Sequence, residues 1–206
     1  MTLFMQDYGV PVGFRLIEAD REAVSAIMIQ NGVIHLDGFP TAQDANGELR
    51  RHWAARNPAI DARRSAYTLS LTFPSAAGWT YSAAMSPDAI LLMTASAQRP
   101  GVPAARSDLW FDYGSNVRRY PQWQAMLRKL DVPVLVLWGS RDEFFTTPGA
   151  FAYLRDAPKA EVHVFDGEHF ATLEQPDMVS PLIADFVDRN RSVMAARVSP
   201  ERATDK

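Results

Sequence analysis

The sequence predicts an α/β fold on a mostly parallel, four-stranded sheet with a helical insertion, and three observations predict it. Four short apolar runs have the length and composition of strands buried on both faces. Patterns of helical period separate or follow them. One long, helix-rich block interrupts the alternation between the second run and the third. The first run, 3–6, ends on Asp7, and Gly9, Pro11 and Gly13 then punctuate a tight turn. Phe14, Leu16 and Ile17 recur among Arg15, Glu18 and Asp20 at helical spacing, so a helix is expected over 12–21. The second run, 26–30, stops at Gln30. The third, 133–138, leads into Gly139 and Asp142, and the fourth, 161–165, into Gly167, Glu168 and His169. A helix over 150–155 separates the last two strands, and an amphipathic helix over 177–191 closes the fold.

Connections within α/β units ordinarily run to about 2–6 residues, so 31–132 must be a module. Its pieces read as helices: 43–56, 60–71, then 89–96 behind an N-cap Ser86 with Pro87 in the first helical position, and further segments around Asp108 and Gln122. The expected organisation is a sheet core at 1–34 and 131–192, a helical cap insertion with its return helix at 35–130, and a disordered tail at 193–206, where the end from Ser199 has no apolar anchor.

Composition narrows the function. A formal net charge of −3 and a pI near 5.8 supply no basic footprint for nucleic acid, and Arg50, Arg51, Arg63 and Arg64 are diluted by Ala and Asp. No apolar run approaches the roughly 20 residues of a membrane helix, and no signal-like segment follows Met1, so a cytoplasmic location without membrane contact is expected. With no cysteine there is neither a thiol nucleophile nor a thiolate metal site. His35, His52, His163 and His169 form no short ligand cluster, so neither a metal nor another cofactor is expected.

Chemistry gathers at the ends of the strands. A strand that ends on a nucleophile, one further residue and Gly before entering a helix has the grammar of a nucleophile elbow, with Asp7 raised above the sheet. Taken singly, Asp7 reads equally as a helix N-cap, Asp142 as a turn residue and His169 as a surface loop histidine. Their joint placement, each at the carboxyl end of a strand and in the order Asp, Asp, His, favours a catalytic set.

Five phrases carry a specific resemblance: QDYGVPVGFRL, IMIQNG, WFDYGSNVRRYPQWQ, PVLVLWGSRDEFF and DGEHFATLEQP. They resemble the aspartate-nucleophile branch of the α/β-hydrolase superfamily, which contains epoxide hydrolases and haloalkane dehalogenases. The resemblance implies Asp7 as nucleophile, His169 as base, Asp142 as the acid that orients it, and the backbone N–H of Tyr8 as an oxyanion donor. A carboxylate with a solution pKa of about 3.9 is ionised at neutral pH and can displace a leaving group from an sp³ carbon unaided, forming an ester that a His-activated water then hydrolyses.

The leaving group depends on what receives its charge. Dehalogenases of this branch usually have Trp after the nucleophile, where this chain has Tyr8; epoxide hydrolases supply a proton from cap tyrosines. Tyr113 stands where the family phrase Tyr-Arg-Asn places one, with Gly114 in place of Arg, and Tyr81 is a weaker candidate for the other. Tyr113 reads equally as a buried structural residue, and Tyr81 reads better as one. Glu143, His35 and Asp37 could line the site or replace Asp142 as the acid, but each reads better as a solvated loop residue. An epoxide or related small molecule is the expected substrate, with haloalkane dehalogenation, a catalytically dead remnant and a small-molecule binding module as the other readings. In the family's full fold four further strands precede the elbow strand, so the sequence reads as a truncated form of impaired activity whose exposed sheet edge invites self-association.

Overall fold

A computed structural model describes residues 1–40, 47–70 and 85–198. Its four strands are β1 (Thr2–Gln6), β2 (Ala26–Gln30), β3 (Val134–Gly139) and β4 (Glu161–Phe165), all parallel and ordered β1-β2-β3-β4. The α/β fold with a four-stranded parallel sheet is as the apolar runs predict. Between them lie helices α1 (Gly9–Ala19), α2 (Glu48–Ala54), α3 (Pro58–Ser70), α4 (Pro87–Ala97), α5 (Val102–Leu127), α6 (Pro148–Ala152), α7 (Ala171–Glu174) and α8 (Pro176–Val198).

The chain divides into two compact units, one of residues 1–40 with 119–206 and one of residues 41–118. In the first, every residue of β2 and β3 is buried, which their unbroken apolar character requires of a sheet covered on both faces. On one face Ala26, Met28, Leu135, Leu137 and Phe165 pack with Ala171, Val179 and Phe186. Leu182, Ile183, Val187 and Met194 of α8 join that cluster at spacings of one helical face. Alternation turns Ile27, Ile29, Val136 and Trp138 to the other face. Helix α1 lies against β1 so closely that a Cβ on Gly13 would collide with the Met5 side chain.

Several boundaries differ from those expected. Helix α1 starts at Gly9 rather than at 12, because Val10 N–H already bonds the Asp7 carbonyl (3.0 Å) and Pro11 sits in the first turn, where no N–H is needed. The segments expected around Asp108 and Gln122 are one helix, α5, running through Pro121. Buried Tyr120 and Trp123 flank that proline, and Trp123 packs on Phe14 at 5.7 Å, so tertiary packing carries the helix over a residue that interrupts its hydrogen bonding. Residues 35–40 and 119–130 lie in the same compact unit as the sheet. Thr146 N–H bonds the Gly38 carbonyl (2.8 Å), and a Cβ on Gly149 would stand 2.7 Å from Gly38 Cα. Helix α8 continues past 192 to Val198, with Met194 on the sheet cluster and Arg197 donating to the Asp131 carbonyl at 2.5 Å.

The described residues of the second unit are largely helical, as their patterns suggest. Helix α4 begins as read: the Ser86 hydroxyl accepts from Asp88 N–H (3.3 Å), with Pro87 following. The helix expected over 43–56 is observed as Glu48–Ala54, with 41–46 outside the described residues. Trp53 stacks on Tyr113 at 6.0 Å and donates its indole N–H to the Trp110 carbonyl (3.0 Å). A Cβ on Gly114 would stand 2.5 Å from the Cβ of Trp53, so nothing larger than glycine fits there without displacing that indole. Among the described residues no helix is long and apolar enough to cross a membrane.

Candidate active site

Parallel strands deliver their carboxyl ends to one edge, and β1, β3 and β4 each release a polar residue there. Asp7 follows β1 with φ 47°, in the left-handed region. Asp tolerates that region better than most L-residues, and one such residue is held only where its surroundings impose it. Here they do: Asp7 N–H bonds the Asn31 carbonyl (3.3 Å), while its own carbonyl receives Val10 N–H at the start of α1. Tyr8 is the N-cap residue of α1, so its backbone lies at the positive end of the helix, beside the carboxylate.

Asp142 leaves the turn after β3 with its side chain fully buried. Its Oδ1 accepts Phe144 N–H at 2.7 Å and its Oδ2 accepts Nδ1–H of His169 at 2.8 Å. The other ring nitrogen, Nε2, lies 3.5 Å from Asp7 Oδ2. The structure therefore brings Asp7, His169 and Asp142 into one line. Burial opposes charge on the imidazole, yet the bonds and charges of Asp142 and Asp7 outweigh it and raise the His169 pKa from 6.5 to about 9. The Asp7 side chain is 40% exposed while that of Asp142 is sealed, so one carboxylate can meet a substrate and the other only the histidine.

The histidine loop is held at its backbone. Gln6 and Gln30, register partners at the ends of β1 and β2, both donate their side-chain amides to the His169 carbonyl, at 2.8 and 3.3 Å. Buried Glu174 accepts Glu168 N–H (2.7 Å) and Phe170 N–H (3.1 Å), bracketing His169 on both sides. Burial, with the Glu174 charge nearby, raises the Glu168 carboxyl above its ordinary range. Phe144 and Phe170 meet the imidazole edge to face at 5.0 and 4.9 Å, and Phe145 lies at 5.9 Å. Gln6, Gln30, Glu174 and these rings were not singled out from the sequence. Glu174, in the phrase that contains His169, had only its proximity to signal it.

Other candidates fall elsewhere. His35 is buried with its Nε2 against Asp156 Oδ2 at 2.6 Å, and burial lowers its pKa. Asp37 makes two bonds to Arg155, at 3.0 and 2.6 Å, which hold its carboxyl below the usual range. Glu143 is exposed on the loop. Asp142, and none of these three, bonds His169 Nδ1. Tyr113 is buried in the helical unit between Trp53 and Trp110, and Tyr81 lies outside the described residues. Among the described residues no group of three or more His, Asp or Glu side chains is arranged to hold a metal ion.

The sequence is 32% identical over 178 residues, 82% of this chain, to an uncharacterized hydrolase of Saccharomyces cerevisiae, and it spans 60% of that relative's length. Solved structures share the fold. The epoxide hydrolase CorEH matches with a TM-score of 0.66 at 21% identity, over 91% of this chain and 68% of that one. The haloalkane dehalogenase DatA of Agrobacterium tumefaciens matches with a TM-score of 0.66 at 20% identity, over 92% of this chain and 66% of that one. No family model matches the sequence.

Proposed function

We propose that this chain, which has the α/β-hydrolase fold, is the part of a hydrolase that carries an aspartate nucleophile and hydrolyses a small organic substrate, an epoxide or a related alkylating molecule, through an alkyl-aspartyl ester. The observation that supports this reading above the others is the line Asp7–His169–Asp142, with Asp7 raised on a left-handed elbow at the open end.

In the first step an Asp7 oxygen attacks an sp³ carbon, the carbon–oxygen bond of the ester forms, and the bond to the leaving oxygen breaks with its electron pair. That oxygen takes a proton from solvent. Esterification removes the negative charge facing His169 Nε2, and with it part of what raises the histidine's pKa. The buried imidazolium then releases its proton more readily and becomes a base. In the second step it takes a proton from water as the water oxygen attacks the ester carbonyl, and the N–H of Tyr8 steadies the oxyanion. The acyl carbon–oxygen bond breaks, the leaving oxygen takes the proton that His169 Nε2 drew from water, the diol departs, and Asp7 keeps an oxygen from water.

Single turnover of styrene oxide in ¹⁸O-water is the test. Label must appear in the Asp7 carboxylate, and His169→Gln must trap a covalent adduct on the Asp7 peptide. Label in product alone, with no adduct in the variant, removes the aspartate-nucleophile reading.

A further inference from the structure

We propose that Asn31 is a positioning residue for the His169–Asp142 pair, an inference that rests on the reading above. The chain uses the same device twice at the ends of adjacent strands: Gln6 precedes Asp7 at φ 47°, and its register partner Gln30 precedes Asn31 at φ 40°. Asn31 is fully buried. Its backbone carbonyl accepts Asp7 N–H at 3.3 Å, and its own N–H bonds the Leu137 carbonyl at 3.2 Å. The following residue must be glycine, because a Cβ on Gly32 would strike Val10 and stand 3.1 Å from Asp7 N.

The side chain does the rest. Its Oδ1 accepts Gly139 N–H (3.0 Å), which fixes the orientation of the amide and turns Nδ2 toward Asp142. Nδ2 donates to Asp142 Oδ2 at 2.7 Å and approaches the Gly139 carbonyl at 3.3 Å. Asp142 Oδ2 thus receives two donors, Asn31 Nδ2–H and His169 Nδ1–H, while Oδ1 receives Phe144 N–H. Three fixed donors leave the carboxylate no freedom to rotate away from the imidazole. A neutral amide suits this place, since it orients Asp142 without adding charge beside His169. Asn31 holds the backbone of Asp7 but bonds none of its carboxylate oxygens, so it acts on the step that uses the histidine and spares the step that uses Asp7 alone.

The test uses the 206-residue chain with styrene oxide as probe, comparing wild type, Asn31→Ala, Asn31→Asp and His169→Gln. Asn31→Ala removes the donor to Asp142 without adding charge, Asn31→Asp keeps the acceptor for Gly139 N–H but sets a second carboxyl against Asp142, and thermal melts of both separate positioning from folding. Both Asn31 variants should alkylate within about threefold of wild type but hydrolyse the ester roughly 10- to 100-fold more slowly, the value of one charge-assisted hydrogen bond, so the Asp7 adduct accumulates. The downfield Nδ1–H resonance of His169, read by NMR without substrate, should shift and exchange faster in both. Adducts trapped by His169→Gln but hydrolysed at wild-type rate in the Asn31 variants would overturn the role of Asn31 and leave the nucleophile standing. If His169→Gln traps nothing, the nucleophile reading fails, and the resonance alone decides: unchanged in Asn31→Ala, it overturns the positioning role, and shifted, it supports it.

Discussion

The Nε2 of His169 stands 3.5 Å from Oδ2 of Asp7, a separation longer than a good hydrogen bond and short enough for two charges to feel one another through a buried ring. The resting histidine is therefore held protonated by Asp142 and, to a lesser degree, by the carboxylate that the reaction neutralises. Asp7→Asn should reproduce the electrostatics of the ester without chemistry. Titration of the His169 ring protons by NMR should give a pKa below the wild-type value of about 9. An unchanged titration would mean that Asp142 alone sets the histidine's charge.

The same pKa predicts the pH dependence of stability. A histidine raised from 6.5 to about 9 binds its proton more tightly folded than unfolded. Its contribution, roughly 3 kcal/mol as an upper figure, is fully present below pH 6.5 and is lost as pH rises through 9. Urea midpoints of wild type should fall over that window, and those of His169→Gln should be flatter. His35 acts with the opposite sign: its lowered pKa means that the unfolded chain binds the extra proton as pH drops below 6.5, which destabilises the fold on the acid side.

Asp142→Asn keeps the shape of the buried acid but removes the charge and the acceptor that fix the Nδ1–H tautomer. Turnover should drop by roughly 10³–10⁴, the scale seen when the acid of such a triad is neutralised. Chelators should leave wild-type turnover unchanged. Activity that disappears with a chelator and returns with a divalent cation would assign Asp142 to a metal instead.

Glu174→Ala strips two backbone N–H groups, of Glu168 and Phe170, of their acceptor on either side of His169. The expected cost is about 1–3 kcal/mol, with a larger loss in ester hydrolysis than in alkylation. Glu174→Gln keeps one acceptor and should recover part of both, as thermal melts and burst kinetics will read.

Tyr113→Phe separates the two leaving groups. If Tyr113 protonates the nascent alkoxide, styrene oxide turnover should fall by roughly 10²–10⁴ while turnover of 1-bromobutane, which needs no proton, stays within a few-fold. Equal losses on both substrates would assign Tyr113 to the packing it makes with Trp53 and Trp110.

The central strands β2 and β3 were legible because a parallel strand buried on both faces needs an apolar run, while β1 and β4, only partly buried at the sheet's edges, were legible from the apolar residues among their polar ones. Asp7, Asp142 and His169 were legible as candidates because each follows such a run. Helix continuity through Pro121 was not, since it depends on Tyr120 and Trp123 finding a buried surface that local grammar does not encode. Nor were the partners that aim the site. Gln6, Gln30 and Asn31 are unremarkable polar residues in the chain, and only the register of β1 on β2 and the return of β3 beside them place their amides on the His169 carbonyl and the Asp142 carboxylate. Hydrogen bonds between residues more than a hundred positions apart need a direction and a distance, and those exist only once the sheet has formed.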